Sequence, residues 1–209
     1  MLKQPLAVWV TALSCVFAFM GIGLVDPILP AIAENLSATP SQVSLLFTSY
    51  FLVTGTMMLV TGAVSSRIGG KKTLLGGLAL ISIFSALAGT SSTVGQLVGF
   101  RAGWGFGNAL FVATALAVIV SVASGGKAVA VILYEAALGL GMATGPLAGA
   151  VLGGMHWRAP FYGTAILMAL ALLVLIAKLP ATPPPAEKTP LSAPLRALTP
   201  VSYTHLTLP

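Results

Sequence analysis

The sequence predicts an all-α membrane protein with six transmembrane helices. Three observations predict it. The composition is 57% hydrophobic against 7% charged, with a mean hydropathy of +1.00, too apolar for a water-soluble core. Six apolar runs lie at about 6–31, 42–65, 73–91, 95–122, 128–154 and 159–178, each long enough to cross a bilayer as helix. Basic residues also segregate. Lys3, Arg67, Lys71, Lys72, Lys127, Lys178, Lys188 and Arg196 fall on one side of the spans, and only Arg158 falls on the other. Positive charge marks the cytoplasmic side, so both termini are expected there. This distribution accounts for the net charge of +6 without nucleic acid as a partner.

Composition also narrows the chemistry. The one cysteine, Cys15, excludes an internal disulfide, and His156 and His205 stand far apart, so no metal set is indicated. No nucleophile–base pair stands out, which makes an enzyme the least favoured class. No cofactor is implied.

The first span begins after Lys3 and runs past Cys15 to about Ile32, too long for the apolar core of a signal peptide. It ends G-I-G-L-V-D-P-I-L-P and places Asp26 about five residues from its outer end. The second span puts Tyr50, Thr54, Met57 and Thr61 on one face, which suits either an amphiphilic cavity wall or plain helix packing. The following connection is G-A-V-S-S-R-I-G-G-K-K-T-L over residues 62–74. There Gly62 is expected to admit a close helix and Gly69 to make the tight turn. Ser66 can cap a helix end.

The fourth span carries L-V-G-F-R-A-G-W-G-F-G-N-A over residues 97–109. Arg101 inside a span must face protein or water, and Gly105 and Asn108 share its helical face. Arg101 and Asp26 lie at similar depth and are expected to pair if their helices touch. The fifth span contains E-A-A-L-G-L-G-M-A-T-G-P-L-A-G-A-V-L-G-G. Gly141, Gly145 and Gly149 recur every four residues and form one groove for a neighbouring helix. Pro146 removes a backbone donor and is expected to bend the helix. Glu135 stands roughly 12 Å into this span. The sixth span is apolar all round and reads as lipid-facing. From Pro180 the chain becomes a Pro-rich linker, and V-S-Y-T-H-L-T-L-P at 201–209 reads as a non-native or frameshifted tail.

These stretches resemble motifs of the major facilitator superfamily. Gly141, Gly145, Pro146 and Gly149 match its fifth-helix antiporter motif G-x-x-x-G-P-x-x-G-G, with Ala150 in place of the last Gly. Gly62, Arg67, Gly69, Lys71 and Leu74 match the loop motif G-x-L-a-D-R-x-G-R-K-x-x-L, but Ser66 replaces the gate carboxylate. Leu97, Arg101, Gly105, Gly107 and Ala109 match the fourth-helix motif L-x-x-x-R-x-x-Q-G-x-G-A-A, with Trp104 in place of Gln. Asp26, Pro27 and Pro30 resemble the first-helix pattern, and Trp157, Arg158 and Phe161 the short outer loop.

The resemblance implies the N-terminal half of a major facilitator fold, an inverted three-plus-three helix repeat over 1–179, then a cytoplasmic linker over 180–200 and a missing C-terminal six-helix half. It implies secondary active transport in the cell membrane, leaning toward proton-coupled efflux of drugs or small amphiphilic molecules. The expected partners are the lipid bilayer, a small-molecule substrate and protons. Asp26, Tyr50, Thr54, Arg101, Asn108 and Glu135 are then the expected cavity and proton-coupling residues. Gly62, Arg67, Gly69, Lys71, Gly105, Gly141, Gly145, Pro146 and Gly149 are the expected packing and gating residues. Asp26 is the expected structural partner of Arg101. Glu135, with no basic residue in its own span, is the expected proton carrier. The alternatives are a proton-coupled uptake carrier, or a six-helix interaction or sensor module without transport. One half supplies one wall of the site, so the 209-residue chain is expected to be inactive alone.

Overall fold

The computed structural model describes residues 4–180. The linker expected after Pro180 and the tail expected at 201–209 lie outside them. Six helical segments are long and apolar enough to cross a bilayer, and their limits follow local chemistry.

The first span is divided. Helix α1 (Leu6–Gly23) gives way to a 3-10 turn over Asp26–Ile28 and then to α2 (Leu29–Asn35). Pro27 and Pro30 each occupy the opening positions of their segment, where a missing N–H leaves no bond unmade. Helix α2 carries the chain to Asn35 and so takes in Glu34, which the apolar pattern leaves in a loop.

Helix α3 (Pro40–Ile68) starts on a capping box. The Gln42 backbone N–H donates to the Thr39 hydroxyl at 3.3 Å, and the Thr39 backbone N–H donates to Gln42 Oε1 at 2.9 Å. Gly69 alone separates α3 from α4 (Gly70–Thr90), at φ 89° and ψ 150°, a conformation open to glycine and costly for other residues. Helix α5 (Val94–Val122) is capped by Thr93, whose hydroxyl accepts from the Gln96 N–H at 3.2 Å. Helix α6 (Gly126–Met155) runs without interruption through Pro146, and α7 (Ala159–Lys178) follows a short turn.

The two three-span repeats exchange partners. The first helix of the first repeat, α1, packs mainly on α6, the second helix of the other repeat. Correspondingly α5, which opens the second repeat, packs on α3, and also on α4. The third helices, α4 and α7, pack on each other. Glycine makes each of these approaches possible. A Cβ on Gly105 would lie 2.5 Å from the Tyr50 carbonyl oxygen, so α5 meets α3 backbone to backbone there. Two residues on, about 200° around the helix, a Cβ on Gly107 would lie 2.9 Å from the Gly77 carbonyl oxygen of α4. Gly77 faces back, its added Cβ falling 2.8 Å from the Gly107 oxygen.

The α6 stripe does the same against α1. Added Cβ atoms on Gly141 and Gly145 would stand 2.5 Å from the Val16 oxygen and 2.7 Å from the Met20 oxygen. One on Gly149 would collide with the Leu24 oxygen, and one on Gly153 with Ile28. Lipid tails are as apolar as leucine, so contact of this kind holds such helices together through dispersion and Cα–H···O interactions.

One packing expectation is revised, and one of two open readings is favoured. Gly62 is exposed with open space where a Cβ would stand, so no described helix uses it for close approach. The polar face of the second span is a packing face: Tyr50, Thr54 and Thr61 are buried.

Candidate functional site

A polar cluster lies where α3 meets α5. Arg101 is 0% exposed and is the one fully buried charged side chain among the described residues. Tyr50 and Trp104 lie against it, and Thr54 and Asn108 are buried further along the same helix pair. The close approach at Gly105 sets this up, since it brings the Tyr50 turn of α3 against the Arg101 turn of α5. The Thr54 hydroxyl then donates to the Gly105 carbonyl at 3.0 Å, and the Ser49 hydroxyl to the Val98 carbonyl at 3.2 Å. These two bonds stitch the helix pair on either side of Arg101.

The guanidinium is held by aromatic faces. Its Cζ stands 4.5 Å from the Tyr50 ring centroid and 4.7 Å from that of Trp104. The two rings are 6.3 Å apart at 88°, so they form a right-angled corner around the cation. Among the described residues, Nε, Nη1 and Nη2 of Arg101 have no hydrogen-bond partner, nor do the Tyr50 hydroxyl, Trp104 Nε1 or Asn108 Oδ1. The cluster is therefore rich in donors that remain able to meet an acceptor. An aromatic series continues outward from it. Trp104 meets Phe161 at 6.4 Å, and Phe161 meets Trp157 at 6.4 Å. Arg158 covers Trp157 at 4.7 Å and donates through Nη2 to the Ser91 carbonyl at 2.8 Å, which ties the α6–α7 turn to the end of α4.

Four of the six expected cavity residues, Tyr50, Thr54, Arg101 and Asn108, are thus buried on α3 and α5, and of these Tyr50 lies directly against Arg101. The other two are not buried. Asp26 is exposed in the 3-10 turn, and Arg101 makes no hydrogen bond to it. No hydrogen bond or ion pair joins the two; the ring corner holds Arg101, and Asp26 acts on it electrostatically from the surface. Glu135 is exposed on α6. All three carboxylates among the described residues, Asp26, Glu34 and Glu135, lie at the surface of this six-helix unit.

At the opposite end of the spans, Arg67 is exposed and Ser66 is buried, its hydroxyl donating to the Ala63 carbonyl at 3.0 Å. Lys71 reaches across to the last turn of α7. Its Nζ donates to the Ile176 carbonyl at 3.2 Å and to the Leu179 carbonyl. A cation there satisfies orphan carbonyls and complements the helix dipole. Sequence reasoning placed Lys71 in a gating motif but missed this bond, because a partner 105 residues away leaves no local signal. It also missed Gly77 as the counterpart of Gly107. Gly21 escaped it too: a Cβ there would stand 2.8 Å from Trp104 Cζ2.

Comparison with known proteins places this arrangement. The family model described as Major Facilitator Superfamily matches residues 11–206. The chain is 60% identical over 198 residues to the "Multidrug efflux protein YfmO" of Bacillus subtilis (strain 168), covering 95% of this chain and 50% of that protein. It is 34% identical over 187 residues to the "Tetracycline resistance protein, class C" of Escherichia coli, covering 88% of this chain and 46% of that one. The chain thus spans about half the length of these relatives. Its fold is similar to the crystal structure of the human organic anion transporter MFSD10 (TETRAN), with a TM-score of 0.70 at 21% identity over 85% of this chain and 48% of that one. A six-helix unit with a buried span arginine, a glycine stripe on its fifth span and this match over most of its length belongs to the Major Facilitator Superfamily.

Proposed function

We propose that this chain is the N-terminal half of a secondary active transporter that exports drugs or small amphiphilic molecules in exchange for protons. The observation that carries the reading is the 60% identity, over 95% of the chain, to a relative named a multidrug efflux protein. The geometry supports it. A carrier that rocks one half against another needs each half to move as a rigid unit, and backbone-to-backbone packing along α1–α6 and α3–α5 supplies that rigidity. It also needs a fixed polar centre inside the spans, and Arg101 is the candidate.

On this reading both termini are cytoplasmic, the protein is a multi-pass component of the cell membrane, and a second six-helix half completes the site. Residues 180–200 are the linker toward that half, and 201–209 are not native to it. Glu135 is the proton carrier of this half, because it is a carboxyl inside the apolar run 128–154, which holds no basic residue. Arg67, Gly69 and Lys71 form the gating loop, without the family's carboxylate at Ser66.

Transport by reconstituted halves tests the proposal. The chain is placed in proteoliposomes under a pH gradient, alone and together with the part of the Bacillus subtilis relative that it does not cover. Saturable uptake of a fluorescent cationic dye is expected with both parts and absent with the chain alone. No gradient-dependent transport by the pair would sink the reading. Transport by the chain alone would replace it with a homodimer of halves.

A further inference from the structure

The ring corner around Arg101 has a cause that none of the motifs contains. We propose that Trp104 and Tyr50 are positioning residues that hold the Arg101 guanidinium by their ring faces, and that Gly21 on α1 is the space that admits Trp104. The proposal rests on the reading of Arg101 as the polar centre of a carrier.

A guanidinium buried without an acceptor is free to swing unless something else fixes it. Here its contacts are the Tyr50 ring at 4.5 Å and the Trp104 ring at 4.7 Å, set at 88° to each other. Two perpendicular faces restrict a planar cation in two directions, and cation–π attraction strengthens away from water. Face contact uses none of the five N–H groups, so the donor fork stays open for an acceptor. Trp104 is itself fixed by shape alone. Its Nε1 has no partner, Phe161 meets it edge-on at 6.4 Å and 75°, and its Cζ2 fills the place where a Gly21 Cβ would come within 2.8 Å. The family motif has Gln at this position; here an indole, admitted by Gly21, lies against the arginine.

The chain itself provides the first test. Trp9→Phe and Trp157→Phe leave Trp104 as the single tryptophan of three. In that background Arg101→Met should shift the Trp104 emission maximum. Thermal midpoints in detergent micelles extend the test. Trp104→Phe, which keeps a ring face and loses the N–H, should stay within about 2 °C of the wild type, while Trp104→Gln should fall by about 4 °C or more. Gly21→Ala should lower the midpoint when Trp104 is present and not in the Trp104→Gln background. Unchanged Trp104 emission in Arg101→Met, or an equal Gly21→Ala effect in both backgrounds, would overturn the proposal.

The paired-half transport assay supplies the functional arm. Trp104→Phe should retain transport and Trp104→Gln should lose it at least about tenfold, the loss expected when a fixed polar group is released. If the wild-type pair does not transport while the fluorescence and stability results hold, the transporter reading fails and the cradle stands. If the wild-type pair transports and Trp104→Gln transports equally well, the positioning role is refuted.

Discussion

Gly149→Ala should destabilise the protein, whereas Gly139→Ala on the same helix should not. At Gly149 the new Cβ would collide with the carbonyl oxygen of Leu24, the C-cap of α1. That oxygen is backbone and cannot rotate away, so α1 and α6 must separate. Overpacking a well-filled contact costs about 1–3 kcal/mol, and a backbone obstacle belongs at the upper end. Alanine offsets about 1 kcal/mol of this through its helix propensity. The net loss is about 2 kcal/mol. At Gly139 nothing lies within 4 Å of the added atom, so only the propensity gain remains. The same substitution ten residues apart should therefore differ by about 3 kcal/mol. Cys15 makes the assay simple: it is the single cysteine, it is fully buried on α1, and it faces solvent only when α1 leaves its neighbours. Thermal unfolding in detergent, followed by labelling of Cys15 with a thiol-reactive dye, reads the two midpoints. A Gly149→Ala midpoint at or above that of Gly139→Ala would refute the reading of the stripe as a backbone contact.

Three further outcomes follow from the same geometry. Arg101→Met should leave stability unchanged or raise it, because replacing an unpaired buried charge by an apolar side chain of similar length removes a desolvation cost, yet it should abolish transport by the paired halves. Thermal midpoint and dye uptake, measured on one preparation, separate the two effects. Lys71→Met should uncap α7 and speed hydrogen exchange at the end of that helix, with a stability loss of about 0.5–1 kcal/mol; unchanged exchange there would show that the bond carries no stability. Glu135→Gln should remove the pH dependence of transport while Asp26→Asn keeps it, and the opposite pattern would reverse the two assignments.

The six spans were legible because a bilayer forces helix on any apolar run of that length, and the element limits agree with the structure to within a few residues. The α6 stripe was legible as a groove because a four-residue glycine period has one meaning on a helix. Its partner was not: Val16, Met20 and Leu24 contribute carbonyl oxygens, and a carbonyl is the same in any residue. Asp26 and Arg101 interact through their charges but make no direct pair, for a geometric reason. Equal depth fixes one coordinate of a side chain and leaves its direction around the helix free, and the prolines at 27 and 30 turn the backbone near Asp26 into a 3-10 segment. The Tyr50–Thr54 face left two readings open, since one amphiphilic period serves both a wall and an interface. Burial decides for the interface within this half. Trp104 looked like a lapse from a motif until its space on α1 came into view.

The exchange of partners between the two repeats has a consequence for how the chain is made. The carbonyl stripe of α1 meets its glycine partners only when α6 has been synthesised, about 120 residues after Val16, or roughly 6–25 s of translation at ordinary rates. During that interval α1 sits in the bilayer without its main neighbour, whereas α3 and α4 can meet α5 as soon as it is made. Docking of α1 must therefore wait for the fifth span. A chain that ends before Gly126 has every helix of the α3–α4–α5 group and lacks the glycine stripe on which α1 docks.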